Sequence, residues 1–174
     1  MAGQRYTFVI AMPHKYLLKE FEELARTAAD PDTIMQCVSQ RIHLHIPRYN
    51  WVGFYLVDKT DSSALVLGPH SGSFTPKAKI SWNEGLCGSA AALRRVVVAD
   101  NVAEDPRYIQ ASDLVKSQIS MPIMSGNKLV AVFNVESYFL SAFNPAQERE
   151  FVEACTRVVS RCFTRTVNSD LVHA

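Results

Sequence analysis

The amino-acid sequence predicts an α+β fold, and three observations carry that prediction. Apolar residues recur at helical spacing near both ends of the chain, short β-rich runs with alternating faces fill the middle, and one long polar loop breaks the run of strands. With 174 residues, 48% hydrophobic and 20% charged, the chain is long enough for one ordinary core and too short for two. Residues 1–174 are therefore read as a single domain.

The elements follow in order. Leu17, Leu18, Phe21, Leu24, Ala25 and Ala28 mark an amphipathic helix over about 14–29. Asp30 before Pro31 supplies an N-cap with proline at the first helical position, and Ile34, Val38, Ile42 and Ile46 carry a second helix down to Pro47. These N-terminal helices occupy 14–46, and residues 50–137 are expected to form a sheet and its pocket. Runs at 51–58 and 64–68 flank Lys59 to Ser63, a polar connection suited to a hairpin, and 79–82 reads as a third strand. Asn83-Glu84-Gly85 opens a short helix to Leu93, and 95–99 returns to strand. A polar loop follows over 100–116, with a helical turn expected near Ala111 to Val115.

Strands at 117–124 and 128–136 flank Ser125-Gly126-Asn127, a compact turn signal that makes them a hairpin. The closing helix, 144–167, starts at Asn144-Pro145-Ala146-Gln147, which joins an N-cap, a proline at N1 and a capping-box glutamine. The expectation is a central antiparallel sheet of about six strands. The terminal helices lie on one face, and loops with short helices cap a pocket on the other. The last helix has a second apolar rib at Val152 and Val159, more than one sheet contact requires, which predicts a homodimer through the terminal helices.

Eighteen basic and seventeen acidic residues give a formal charge of +1 without long runs, so neither a nucleic acid nor an anionic membrane is an expected partner. No apolar stretch approaches the roughly 20 residues needed to span a bilayer, and the start carries no secretion signal, so a cytoplasmic location is expected. Cys37, Cys87, Cys155 and Cys162 include no CxxC pair and read as reduced thiols, neither a disulfide framework nor a zinc site. His43 and His45 would stand about 200° apart on a helix and cannot share a metal ion. Phosphate-loop, GxGxxG, GxSxG and HExxH signatures are absent, and no cofactor or metal is expected.

Strand alternation puts Trp51, Gly53, Tyr55 and Val57 on one side and Val52, Phe54 and Leu56 on the other. Gln118, Ser120 and Pro122 likewise oppose Ile119, Met121 and Ile123, while Val132, Asn134 and Glu136 oppose Ala131, Phe133 and Val135. One face is apolar and suited to packing under helices. The other mixes aromatic, amide, hydroxyl and carboxylate groups and reads as a ligand floor, the alternative being a solvated sheet face. Cys87 falls in the first turn of the middle helix, where the dipole and free amides can lower a thiol pKa. It is the one candidate nucleophile with a physical argument behind it, set against its reading as a small buried residue between helix and sheet.

Several segments together resemble the GAF domain family of small-molecule sensors, related in architecture to PAS domains. Glu84-Gly-Leu-Cys-Gly-Ser-Ala-Ala-Ala is similar to the family's glycine-spaced helix start, and Ala99-Asp-Asn-Val with Asp105-Pro-Arg-Tyr to its loop. Ser120-Met-Pro-Ile with Asn127-Lys-Leu-Val-Ala-Val-Phe resembles its final hairpin, and Phe143-Asn-Pro-Ala-Gln-Glu its closing helix cap. Asn50-Trp51-Val-Gly-Phe-Tyr55 and Leu65-Val-Leu-Gly-Pro69 resemble a narrower group, the free methionine-(R)-sulfoxide reductases.

That resemblance implies an aromatic substrate cage at Trp51 and Tyr55, with Cys87 in the group's Gly-x-Cys-Gly position. It also implies departures. Ala111, or a neighbour in Tyr108 to Ser112, stands where the reductases carry their catalytic cysteine, and no cysteine lies between Cys87 and Cys155. Gln118 stands for a glutamate, and Asn134 with Glu136 for two aspartates. The expected function is a non-catalytic, ligand-binding or regulatory domain that holds a small, amino-acid-like molecule through Trp51, Tyr55, Trp82, Cys87, Gln118, Asn134 and Glu136. The alternatives are a divergent reductase using Cys87 and an interaction module with an empty pocket. His70 and His14 read as surface residues.

Overall fold

The computed structural model describes residues 12–172. Helices α1 (His14–Thr27) and α2 (Pro31–His45) lead into strands β1 (Trp51–Val57), β2 (Ala64–Gly72) and β3 (Lys79–Ser81). Helix α3 (Gly85–Leu93) precedes β4 (Val97–Ala99), and a 3-10 turn at Val102–Glu104 interrupts the long loop before β5 (Ser117–Ser125) and β6 (Lys128–Ser137). Helix α4 (Ala146–Val172) closes the chain. The six strands form one antiparallel sheet in the order β3-β2-β1-β6-β5-β4. No helix among the described residues is long and apolar enough to cross a membrane.

Asp30 caps α2 as its sequence requires: Oδ1 accepts from the Thr33 amide at 2.8 Å, with Pro31 at N1. The alternation read from the strands separates two interiors. Val52, Phe54, Ile119, Ile123, Phe133 and Val135 join α1, α2 and α4 in one core. Phe54 stacks on Phe133 at 4.5 Å, each ring fully buried and worth about 1.5–3 kcal/mol on burial alone. Trp51, Tyr55 and Val132 face the other way, toward α3.

Four local expectations need correction. β2 runs on to Gly72, because β1 pairs with it along its length from Trp51↔Gly72 to Val57↔Leu65. The turn expected near Ala111 to Val115 is not helical; the 3-10 turn lies at Val102–Glu104, where Asn101 Oδ1 accepts from the Ala103 amide at 3.2 Å. The short helix starts at Gly85, after an extended Glu84. Val152 and Val159, the rib that predicted a helix-mediated dimer, are both fully buried within the protomer's own core, so that rib is not left over for a partner.

α3 sits close against β3. A Cβ on Gly88 would collide with the Ser81 carbonyl oxygen and lie 3.1 Å from the Trp82 carbonyl carbon, so only glycine permits this approach. Gly88→Ala is expected to destabilise the fold by about 1–3 kcal/mol, read as a lower urea midpoint at unchanged slope. Gly126→Ala, where nothing lies within 4 Å and only the φ of +58° is strained, should cost less.

Candidate functional site

β5 and β6 align their pocket-side residues across the sheet: Gln118 pairs with Glu136 and Ser120 with Asn134, while β1 sets Trp51 beside Glu136 and Gly53 beside Asn134. Gln118, Ser120, Asn134 and Glu136 are all buried, so the face is not a solvated one. They satisfy one another in a chain. Asn134 Nδ2 donates to Glu136 Oε1 at 2.8 Å, and Asn134 Oδ1 accepts from Gln118 Nε2 and from the Ser120 hydroxyl, each at 2.8 Å.

Cys87 joins the far end, its Sγ 3.4 Å from Ser120 Oγ. At the other end, Glu136 Oε2 is buried and has no hydrogen-bond partner among the described residues. Burial without a counter-charge pushes the Glu136 carboxyl up to about 7, against the opposing hydrogen bond from Asn134.

Burial likewise pushes the Cys87 thiol up to about 12, outweighing the Ser120 hydrogen bond, with the Glu136 charge adding to the rise. The lowering expected from the first helical turn does not occur, and the thiol is neutral at physiological pH. Burial also raises Tyr55, whose hydroxyl donates to the Lys77 carbonyl at 2.8 Å.

A cavity of about 270 Å³ opens above this floor. Tyr55, Cys87, Gln118 and Glu136 line it, together with Ala111 of the long loop. Three expected residues do not. Trp51 is fully buried beneath His70 and Phe74, its ring so close over Gly53 that a Cβ there would meet it at 2.5 Å. Asn134 lies below the surface, tying Gln118 to Glu136. Trp82 is half-buried beside the α3 start, outside the lining, its indole nitrogen unpaired.

Sequence reasoning missed Lys77 and Glu84, which form an ion pair at the rim. Glu84 also accepts from the Ser81 amide, and the Lys77 bond first and that amide second hold its carboxyl below the usual range. Lys77 lies between β2 and β3, where no periodicity marks a residue. Ile109, also on the lining, came from the polar loop as an exposed apolar side chain.

The other cysteines are elsewhere: Cys155 and Cys162 in the helix-side core and Cys37 half-buried on α2. His43 Nδ1 meets Ser71 Oγ at 2.9 Å. His14 and His70 are half-buried; His14 stacks on Phe151 and His70 on Trp51.

The GAF domain family profile matches residues 28–162. Protein ZMO0507 of Zymomonas mobilis is similar at 33% identity over 144 residues, 82% of this chain and 84% of that one. The free methionine-R-sulfoxide reductase of Saccharomyces cerevisiae is similar at 27% identity, covering 64% of this chain and 62% of its own. The structure of a free methionine-R-sulfoxide reductase from Neisseria meningitidis in complex with its substrate superposes with a TM-score of 0.81 at 24% identity, over 96% of this chain and 99% of that chain, a likeness of fold.

Because the folded-state pKa of Glu136 lies above its ordinary value of 4.5, the folded protein holds more protons than the unfolded chain between about 4.5 and 7. Stability therefore falls as pH rises through that window. Glu136→Gln removes the penalty. It is expected to raise unfolding free energy by about 2–3 kcal/mol at pH 8 and to leave it unchanged near pH 4.5, measured by denaturant unfolding at both pH values.

Proposed function

This chain belongs to the GAF domain family, and from that premise we propose that it is a non-catalytic binding domain for a small molecule carrying a protonated amine. The observation that carries the reading is Glu136, a buried carboxylate on the cavity floor with one oxygen satisfied and the other unpaired. Leaving such a charge uncompensated is costly, and a cationic group 2.7–2.9 Å from Oε2 would both pair it and restore its ionisation. A cavity of about 270 Å³ is slightly below the range of about 300–1,000 Å³ that takes drug-sized ligands, which fits a metabolite of amino-acid size. Tyr55 and the Gln118 side chain supply an aromatic wall and a further polar contact. A bound ligand would be reported through association with a separate partner. Four free thiols accord with a reducing, cytoplasmic setting.

A second reading is favoured by one observation: Cys87 lines the same cavity as Glu136, and reductases are among the chain's relatives. In it, the Cys87 thiolate would attack the sulfoxide sulfur and take its oxygen as a sulfenic acid, releasing the thioether. One external thiol would then displace water to form a mixed disulfide, and a second would restore Cys87. A thiol held neutral up to about pH 12 makes a poor nucleophile for that step, and no second cysteine lines the cavity to resolve it.

Reduction of free methionine-(R)-sulfoxide with dithiothreitol, run beside thermal-shift titrations with methionine and its sulfoxide, separates the two. No turnover is expected, and Tm should rise with an amine-bearing ligand. Turnover that disappears in Cys87→Ser would replace the binding reading with the reductase. For the ligand that binds, affinity should be flat above pH 7 and fall about tenfold per unit below it, as Glu136 protonates. Glu136→Gln should abolish that dependence along with most of the affinity.

A further inference from the structure

We propose that the outer edge of β4 is a twofold interface between two copies of this chain. β4 ends the sheet: its inner side pairs with β5, and no strand covers its outer side. Such an edge presents amide and carbonyl groups that another strand can satisfy. The segment through it reads Arg94-Arg95-Val96-Val97-Val98-Ala99-Asp100, basic before the strand and acidic after it. Laid antiparallel on a copy of itself, the segment brings its basic end to the copy's acidic end, at both ends at once.

Symmetry narrows the register. Opposed residues in an antiparallel ladder alternate between hydrogen-bonded and non-hydrogen-bonded pairs, so a twofold axis must set some residue against its own equivalent. With Val97 on the axis, Val96 faces Val98 of the second copy; Arg94, which turns out of the strand direction as the α3 C-cap (φ +50°) and donates to the Asn127 carbonyl at 3.3 Å, lies with Arg95 at the end of the edge where Asp100 of the second copy falls. Val98 packs toward the helix-side core, and alternation puts positions 96, 98 and 100 on that same face. The pairing would cover Val96, now 45% exposed.

The surroundings match this arrangement. Arg94 and Arg95 line a groove of about 490 Å³ floored by Val96, Met121 and Pro122. At the other end of β4, Asp100 and Glu104 line a second depression. Neighbouring charges are paired within the protomer, Asp105 with Arg107 and Glu153 with Arg157. Among the described residues, no ion pair takes up Arg94, Arg95, Asp100 or Glu104. β4 is only three residues long, which protects it from indiscriminate strand addition, and the flanking charges make a second copy in this one register the favoured occupant. The interface lies one strand from the pocket floor, since Val97 and Ala99 pair with Ser120 and Gln118.

Sedimentation of the full chain tests this. The wild type should dimerise, whereas R94D/R95D, with acidic groups at both ends of the edge, and D100K/E104K, with basic groups at both, should each self-associate at least about tenfold more weakly. An equimolar mixture of the two should recover a dimer, because only the mixed pair restores opposite charges at both ends. Unchanged circular dichroism in each variant establishes that the fold is intact. A monomeric wild type, variants that dimerise as the wild type does, or a mixture that stays monomeric would each overturn the proposal.

Discussion

A six-stranded sheet covered on both faces must divide every strand between two interiors, and in this chain the two interiors differ in chemistry. The helix side is filled by Val52, Phe54, Phe133 and Val135 together with the apolar faces of α1, α2 and α4. The opposite side carries Gln118, Ser120, Asn134 and Glu136 in alternate positions of β5 and β6, all four buried. Polar groups buried this deeply are stabilised by pairing with one another. The arrangement of the site follows from that pairing. The amide of Asn134 sits where it can serve both Gln118 and Glu136, and the Ser120 hydroxyl links the amides to the Cys87 thiol.

The same burial decides the electrostatics. A helix N-terminus favours a thiolate through its dipole, typically by a fraction of a kcal/mol to about 1 kcal/mol. Burial of Cys87 beside a carboxylate opposes the thiolate by more, and the thiol is held in its neutral form. For Glu136 the balance runs the same way, toward the neutral acid, yet one carboxyl oxygen is left without a partner. A group of this kind is stabilised by whatever brings it a positive charge. That makes the floor a place for binding a cationic group more readily than a place for generating a thiol nucleophile.

Much of this was legible from sequence. Period-two alternation assigned the residues read from β1, β5 and β6 to the correct interior, because one face of each of these strands was apolar and a one-residue slip would have exposed it. Asp30-Pro31 fixed the start of α2 through local chemistry alone. The length of β2 was less accessible: the β-rich run stops at Gly68, and only pairing with β1 holds the chain extended to Gly72. The buried rib of α4 shows the complementary difficulty. A helix with a broad apolar surface must cover it, but whether its own chain or a second copy supplies the cover depends on where α1 and α2 lie.

What the sequence alone determined is the fold class, the order of the elements, and the division of β1, β5 and β6 into two unlike faces, since all of these rest on periodicity and capping within a few residues. Tertiary structure decided which of the polar-face residues meet a cavity. Trp51 and Asn134 share the face with Tyr55 and Glu136, yet the first is folded against Gly53 and covered by His70 and Phe74, and the second is consumed in tying its neighbours together. Lys77 and Glu84 reach the rim from segments with no common pattern. Depth and desolvation are properties of distant segments brought together, so the pKa values of Cys87 and Glu136, and with them the chemistry open to the site, could be read only once the chain was folded.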